Sequence, residues 1–195
     1  MPSLNDKYGI IDTHERQFAH RLSVKVIDKP KLSVWMILIP IIFVHYFYRF
    51  NKFSTGRKAF TENYLISRLR ALKEALQVVE SGHRPDIEKL VSLASLPRAA
   101  LPAYRDLLRI LIDHYADLLQ ADGDTYAEMI RSVYGGRTDF LLFVNRLNKA
   151  EKVLDQALKS DMKEHIEGFD EIVARIERNS ETLRREDAAQ IFSQS

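Results

Sequence analysis

Apolar residues recur at helical spacing along most of this chain. In the segment LPAYRDLLRILIDHYADLLQ, residues 101–120, apolar side chains return every three or four residues with charged ones between them. That spacing is typical of a helix with one buried and one exposed face. No alternation of apolar and polar residues is long enough to indicate a strand, and most Gly and Pro residues fall between the periodic segments. The sequence therefore predicts an all-α protein.

The same periodicity predicts a helical bundle domain over residues 54–195. One helix runs to Ser81, and Thr125 with Glu128 forms a capping box that begins a short helix. The clearest amphipathic helix lies over residues 101–120. We expect its buried positions to be Tyr104, Leu107, Leu108, Leu111, Tyr115, Leu118 and Leu119.

The last third of the bundle, residues 138–185, is predicted to be an antiparallel helical hairpin. Each arm follows an approximate heptad, and Asp161 with Glu164 resembles a capping box that begins the second arm. The polar tail after Leu183 is expected to fray. The stripe of the first arm is Phe140, Val144, Leu147, Ala150, Leu154 and Leu158, and that of the second is Met162, Ile166, Phe169, Val173 and Ile176.

Two apolar residues of the hairpin, Phe143 and Ile172, fall outside these stripes. Packing of the two arms against each other does not account for them. They are therefore the predicted contact surface for a protein partner or for a second copy of the chain.

The apolar stretch LSVWMILIPIIFVHYFYRFNKF, residues 32–53, has no polar face at helical spacing. A helix that is apolar all round is enclosed by protein or by lipid. Its uncharged part would give a helix of roughly 25 Å, against a hydrocarbon core of roughly 30 Å. Aromatic residues typical of membrane interfaces lie near both ends. The predicted anchor and interface residues are Trp35, Pro40, His45, Tyr46 and Tyr48.

We expect this stretch to be a single-pass anchor, kinked at Pro40. A re-entrant insertion broken at Pro40 and a helix buried within a complex are the alternatives. Positive charges on the two flanks are equal in number, so they do not fix the orientation. The basic run after Tyr48 favours a cytoplasmic C-terminal domain. Its cations, predicted to contact lipid headgroups, are Arg49, Lys52, Arg57 and Lys58.

Residues 1–31 form a separate N-terminal segment in this interpretation. Phe18 and Leu22 are spaced by four and predict a short amphipathic helix from about Thr13. We expect it to lie along the membrane surface or against the bundle.

Candidate chemistry is sparse. His114, between two aspartates, is a candidate general base but is expected on the wet face of its helix, and His45 is a candidate contact for a cofactor. The Gly135 and Gly136 pair is a candidate phosphate cradle, although a helix stop followed by Thr138 as N-cap explains it more simply. The chain has no Cys, and its net charge of +2 gives no reason to expect nucleic acid. Neither a cofactor, a metal nor a small-molecule substrate is predicted.

The function predicted from these features is a membrane-anchored scaffold, adaptor or accessory subunit that acts through protein–protein contacts. The first alternative is a small membrane enzyme or cofactor carrier that uses His45, His114 or the Gly135 region. The second alternative is a membrane-surface module that binds anionic lipid.

Overall fold

The computed structural model describes residues 2–27, 57–94, 96–162 and 169–193. Within these ranges the chain forms seven α-helices and no strand, which confirms the all-α prediction. In chain order they are α1 (Leu4–Val26), α2 (Arg57–Ser81), α3 (Ile87–Ser92), α4 (Leu101–Gln120), α5 (Tyr126–Tyr134), α6 (Arg137–Met162) and α7 (Phe169–Ile191), with a short 3-10 turn at Arg98–Ala100.

Helix α4 is at the centre of the bundle and packs against α1, α2, α3, α5 and α6. It begins and ends at the predicted residues, and Pro102 in its first turn is compatible with a helix start because the amide there has no helical partner. Every predicted inward position is buried, and Tyr104 and Tyr115 are among the largest fully buried side chains. Burial of a leucine-sized side chain stabilises a fold by about 1.5 to 3 kcal/mol, so this face is a major source of stability.

Helix α1 is longer than the short helix predicted from Thr13. A capping box between Ser3 and Asp6 begins it, and its buried face contains Ile11, Phe18 and Leu22. It packs on α2, α4 and α7. Helix α1 therefore lies against the bundle, which is one of its two predicted locations. The bundle includes residues from before the apolar stretch as well as after it.

The end of α1 and the beginning of α2 meet at one end of the bundle. A guanidinium nitrogen of Arg57, the first residue of α2, donates a hydrogen bond of 3.1 Å to the carbonyl oxygen of Ile27. We call the apolar residues at this end the junction cluster: Phe18, Leu22, Val26, Ile27, Phe60 and Leu183, with Tyr64 and Ile176 packed against them.

Helices α6 and α7 pack together and run antiparallel. Lys159 pairs with Asp170 at 2.7 Å near the turn, and Glu151 pairs with Arg184 further along both helices. The predicted capping box at Asp161 is wrong, because Asp161 lies inside α6, which continues to Met162. The first arm therefore extends further than predicted.

The polar tail does not fray as expected. Helix α7 continues to Ile191, and Leu183 and Ala188 are buried along it. Arg21 of α1 binds Asp187 with both oxygens at 2.6 Å, and Arg131 of α5 donates to the carbonyl oxygen of Ile191 at 2.7 Å. Ion pairs and hydrogen bonds to the backbone stabilise this end of α7, and the apolar pattern of the sequence does not predict them.

The predicted capping box of Thr125 and Glu128 is confirmed at the start of α5. Gly135 ends α5 with φ of 65°, a left-handed conformation that favours glycine. Thr138 is not an N-cap, because α6 already begins at Arg137.

The predicted anchor, residues 32–53, lies outside the described residues. No helix among those that the structure describes combines the length and the apolar character needed to cross a bilayer.

Candidate functional site

Four charged side chains from four helices meet inside the bundle: Glu15 of α1, Arg68 of α2, Glu151 of α6 and Arg184 of α7. Arg68 donates to Glu15 at 3.1 Å and to Glu151 at 2.7 Å. Arg184 donates to the two oxygens of Glu151 at 2.6 and 2.8 Å. We call these residues the buried charge network, and its formal charges sum to zero.

Aromatic side chains complete the hydrogen bonds of this network. The hydroxyl of Tyr115 donates to Glu15 at 2.8 Å, and that of Tyr64 accepts from Arg184 at 3.1 Å. The guanidinium of Arg68 lies 4.7 Å from the centre of the Tyr64 ring, within range of a cation–π interaction. Buried charges are tolerated when they are paired and hydrogen-bonded in this way.

Two members of the network, Glu151 and Arg184, are held in their charged forms at neutral pH. Burial acts to raise the pKa of Glu151, but attraction to Arg184 and Arg68 outweighs it and lowers that pKa. Burial acts to lower the pKa of Arg184, and attraction to Glu151 raises it instead. Burial raises the pKa of Tyr115 well above its usual value. Groups held so firmly in one protonation state do not exchange protons near neutral pH, which indicates a structural role.

Sequence reasoning missed the buried charge network, although the chain carries a signal for it. Glu15 lies four residues after Ile11 and three before Phe18, so it occupies the apolar stripe of α1. Arg68 lies four residues before Leu72 on the stripe of α2. The other two members interrupt the stripes of α6 and α7 in the same way. Charges of both signs at stripe positions of four segments indicate pairing between helices.

A cavity of about 280 Å³ borders the network between α2, α4, α6 and α7. We call it the network cavity. Two of its polar groups form no ion pair or hydrogen bond with the described part of the chain: the carboxyl of Asp155 on α6 and the hydroxyl of Ser180 on α7. Burial, with repulsion from Glu151 and Glu177, raises the pKa of Asp155 to about 8. Its apolar walls are formed by Leu107, Leu111, Leu154, Val173 and Ile176.

His114 does not lie on the wet face of α4, so that prediction is wrong. Its side chain is buried because α5 and α6 also cover this side of the central helix. Its Nδ1 shares a hydrogen bond of 2.7 Å with the hydroxyl of Tyr134, and its ring stacks on Phe143 at 4.0 Å. Burial lowers the pKa of His114 to about 3, which keeps the imidazole neutral at physiological pH.

His14, which the sequence did not single out, lies in a similar environment. Its ring stacks on Tyr126 at 3.5 Å, and its Nε2 is 3.8 Å from a carboxylate oxygen of Asp187. Burial lowers its pKa despite the nearby carboxylates. The buried His114 and the half-buried His14 therefore contribute mainly packing at neutral pH.

Most predicted membrane residues lie outside the described part of the chain: Trp35, Pro40, His45, Tyr46, Tyr48, Arg49 and Lys52. Arg57 and Lys58 are described and exposed, at the same end of the bundle as the junction cluster. Apart from its bond to Ile27, Arg57 extends into solvent, and Lys58 lies 3.9 Å from Glu62. Both side chains remain available to an anionic surface.

The predicted partner surface is partly occupied within the fold. Phe143 is half-buried, stacks on His114 and packs against the core, so it is not a free contact surface. Ile172 is half-buried as well. Exposed apolar side chains on α6 are instead Leu142, at 62%, and Val153, at 46%. Periodicity missed them because it locates the buried stripe, whereas these lie opposite to it.

The Gly135 region does not offer a phosphate cradle. The amide of Gly135 donates to the carbonyl of Arg131 at 2.9 Å, and that of Gly136 donates to the carbonyl of Tyr134 at 2.7 Å. Both amides are therefore used within the chain. In the described ranges no group of His, Asp and Glu side chains is arranged to hold a metal ion. Comparison with protein-family models, curated proteins and solved structures found no match.

Proposed function

We propose that this protein is a membrane-attached, all-helical adaptor or accessory subunit that acts by binding a protein partner. The apolar stretch 32–53 is the basis for membrane attachment, and the contact between Ile27 and Arg57, which brings its two flanks together, is the observation that carries the mode of attachment. The charged groups of the buried charge network are paired with one another, which supports a binding role over acid–base chemistry.

The contact between the flanks favours one mode of attachment. A single crossing places the two flanks on opposite sides of a hydrocarbon core roughly 30 Å thick. Ile27 and Arg57 are instead joined by a hydrogen bond of 3.1 Å in one bundle. The single-pass prediction conflicts with this contact. We therefore propose the re-entrant alternative, in which residues 32–53 enter the bilayer and return to the same side near Pro40.

The length of the stretch agrees with a shallow insertion. About 13 residues separate Ile27 from Pro40, and as a helix they would cover roughly 20 Å. Part of that length lies among the headgroups, so the apolar part reaches into about one leaflet. The cations Arg57 and Lys58 would then face the headgroups. An anionic cytoplasmic leaflet is the proposed surface, with the bundle on the cytoplasmic side.

Membrane attachment is tested by comparing the full-length chain with a variant in which a short Gly-Ser linker replaces residues 28–56. The linker suffices because Ile27 and Arg57 are already in contact, and it retains α1, which the bundle requires. The full-length chain is expected to resist alkaline carbonate and to float with liposomes, whereas the linker variant stays in solution with unchanged helicity. Carbonate release of the full-length chain would contradict the proposal.

The same-side topology is tested by cysteine labelling, for which the natural absence of Cys is an advantage. Single cysteines at the exposed positions Asn5 in α1 and Gln190 in α7 are treated with a membrane-impermeant maleimide in oriented vesicles. Both positions are expected to label to the same extent. If only one position is labelled in intact vesicles and both are labelled after permeabilisation, the re-entrant proposal is wrong and the single-pass prediction is supported.

The exposed face of α6 is the surface that we assign to the partner. Leu142 and Val153 lie about three helical turns apart on the same face, and Arg146 and Lys149 are exposed between them. This apolar and basic face suits a partner with an acidic, partly apolar surface. Exchange of both apolar residues for Ser is expected to abolish co-purification of a protein partner from detergent extracts. Val24→Ser, at an exposed position of α1, is the matched control. Unchanged co-purification would contradict the assignment of the partner surface to α6.

A further inference from the structure

The network cavity contains two hydrogen-bonding groups that the described protein leaves unsatisfied. Ser180 is only 4% exposed, and its hydroxyl has no hydrogen-bond partner among the described residues. Asp155 is half-buried beside it on the facing helix. A buried polar group without a partner costs about 1 to 3 kcal/mol, so the hydroxyl of Ser180 favours an occupant of the cavity that bonds to it, and the carboxyl of Asp155 offers that occupant a second acceptor.

The charges around the cavity indicate the chemistry of that occupant. The guanidinium of Arg68 already binds Glu15 and Glu151, and no charged side chain of α4 lines the cavity. The acids of α6 and α7 that line it beyond the network are Asp155, Glu177 and Glu181, and the bases are Lys149 and Lys152. Within the described part of the chain, Arg68 and Arg184 are both paired with glutamates of the network, so neither arginine is left for Asp155.

The two lysines that line the cavity do not change its preference for a cationic ligand. Lys149 and Lys152 are exposed, and long lysine side chains keep their ammonium groups in solvent while their stems line a cavity. Asp155 and Ser180 have short side chains that stay close to their helices. The polar side chains of Tyr64, Ser67 and Asn148 also line the cavity but already have hydrogen-bond partners. The short side chains left without one are an acid and a hydroxyl, which suit a ligand that donates hydrogen bonds.

We propose that the network cavity binds a small organic cation, a protonated amine that carries an apolar group. Its ammonium group would donate to the carboxylate of Asp155 and to the hydroxyl of Ser180. Its apolar part would contact Leu107, Leu111 and Val173. A volume of about 280 Å³ lies at the small end of ligand pockets and suits a one-ring amine. Burial raises the pKa of Asp155 to about 8, so binding must also remove its proton at neutral pH, and the ammonium group offsets that cost because it favours the ionised form.

The test uses three probes of similar shape and different charge: benzylamine, benzyl alcohol and benzoate. Full-length protein with labelled Ile, Leu and Val methyl groups is titrated in phosphatidylcholine nanodiscs, so that no detergent competes for the cavity. Benzylamine is expected to shift methyl resonances of Leu111, Val173 and Ile176 and to raise the melting temperature. Benzyl alcohol is expected to bind more weakly and benzoate not at all.

Asp155→Asn is the decisive variant, and Asp106→Asn, at an exposed acid of α4, is its matched control. Benzylamine affinity is expected to fall about tenfold or more in the first and to stay unchanged in the second. Melting without ligand checks that both variants fold, and Ser180→Ala provides a second cavity variant. Absence of benzylamine shifts at millimolar concentration, an equal response to benzoate, or full affinity in Asp155→Asn would each overturn the proposal. If the full-length chain proves water-soluble, the same titration runs in buffer, so this proposal and the membrane proposal fail separately.

Discussion

Removal of one member of the buried charge network should destabilise the bundle far more than removal of a surface charge. In Arg68→Met, the carboxylate of Glu15, whose side chain is 6% exposed, loses its cation. Among the described residues it then keeps one hydrogen bond, from the hydroxyl of Tyr115. Breaking a buried pair on one side costs about 3 to 5 kcal/mol, because a charge is left without compensation. Since domains of this size are stable by about 5 to 15 kcal/mol, that loss is a large share of the total.

The measurement is thermal unfolding by circular dichroism, with Arg109→Ala as the control. Arg109 pairs with Asp106 at 3.2 Å, but its side chain is 54% exposed, so its loss should cost no more than about 1 kcal/mol. The double variant Arg68→Met with Glu15→Gln should recover part of the loss, because it also removes the orphaned charge. A cost for Arg68→Met equal to that of Arg109→Ala would refute the reasoning, since it would mean that water reaches Glu15.

The network also predicts a direction of pH dependence. The pKa of Glu151 is lower in the folded chain than in the unfolded chain, whose value is near 4.5. The stability that it contributes is therefore present above about pH 4.5 and is lost as the pH falls through the folded pKa. Glu151→Gln should make unfolding less sensitive to acid in that range, while lowering stability at pH 7.

Three further predictions concern single positions. Gly123→Ala should destabilise the bundle by about 1 to 3 kcal/mol, because φ is 133° there and a Cβ would lie 2.6 Å from that of Glu128. In the control Gly136→Ala, the new Cβ meets no atom within 4 Å, so the melting temperature should be nearly unchanged. Folding lowers the pKa of His114 from 6.5 to about 3, so the unfolded chain binds a proton there more readily between these two pH values. The fold is therefore most stable above pH 6.5 and loses stability as the pH falls from 6.5 to 3. His114→Gln should reduce the slope of stability against pH in that range by at most about 1.4 kcal/mol per pH unit. Phe143→Ser should lower the melting temperature through lost packing on His114, whereas Leu142→Ser should not; equal effects would contradict the assignment of Phe143 to the core.

Helices with an uninterrupted apolar stripe were predictable from the sequence. Helix α4 matches its prediction at both ends because nearly all of its buried positions are apolar, and only His114 departs from that rule. The capping box of Thr125 and Glu128 was equally predictable, because it depends on residues three apart and on no other part of the chain.

Helices with buried polar residues were not predictable to the same extent. The buried face of α1 includes Lys7, Glu15 and Ser23, which break the apolar stripe, so only its middle was recognised. The end of α7 was expected to fray because Arg184 and Asp187 are charged, yet both are buried against partners on other helices. Pairing of this kind depends on which helices become neighbours, and periodicity within one segment carries no information about that.

In the proposed re-entrant mode, the contact of Ile27 with Arg57 separates the stability of the bundle from its attachment to a membrane. Helices α1 and α2 meet at the junction cluster through Phe18, Phe60 and their neighbours, and this packing is made entirely by residues outside the apolar stretch. A crossing anchor would have to hold α1 on the far side of the bilayer from α2, at the cost of that packing and of the ion pair between Glu15 and Arg68. A shallow insertion keeps both. Changes within residues 32–53 should therefore alter the fraction of protein bound to membranes while leaving the melting temperature of the bundle unchanged, and changes at Phe60 should do the reverse.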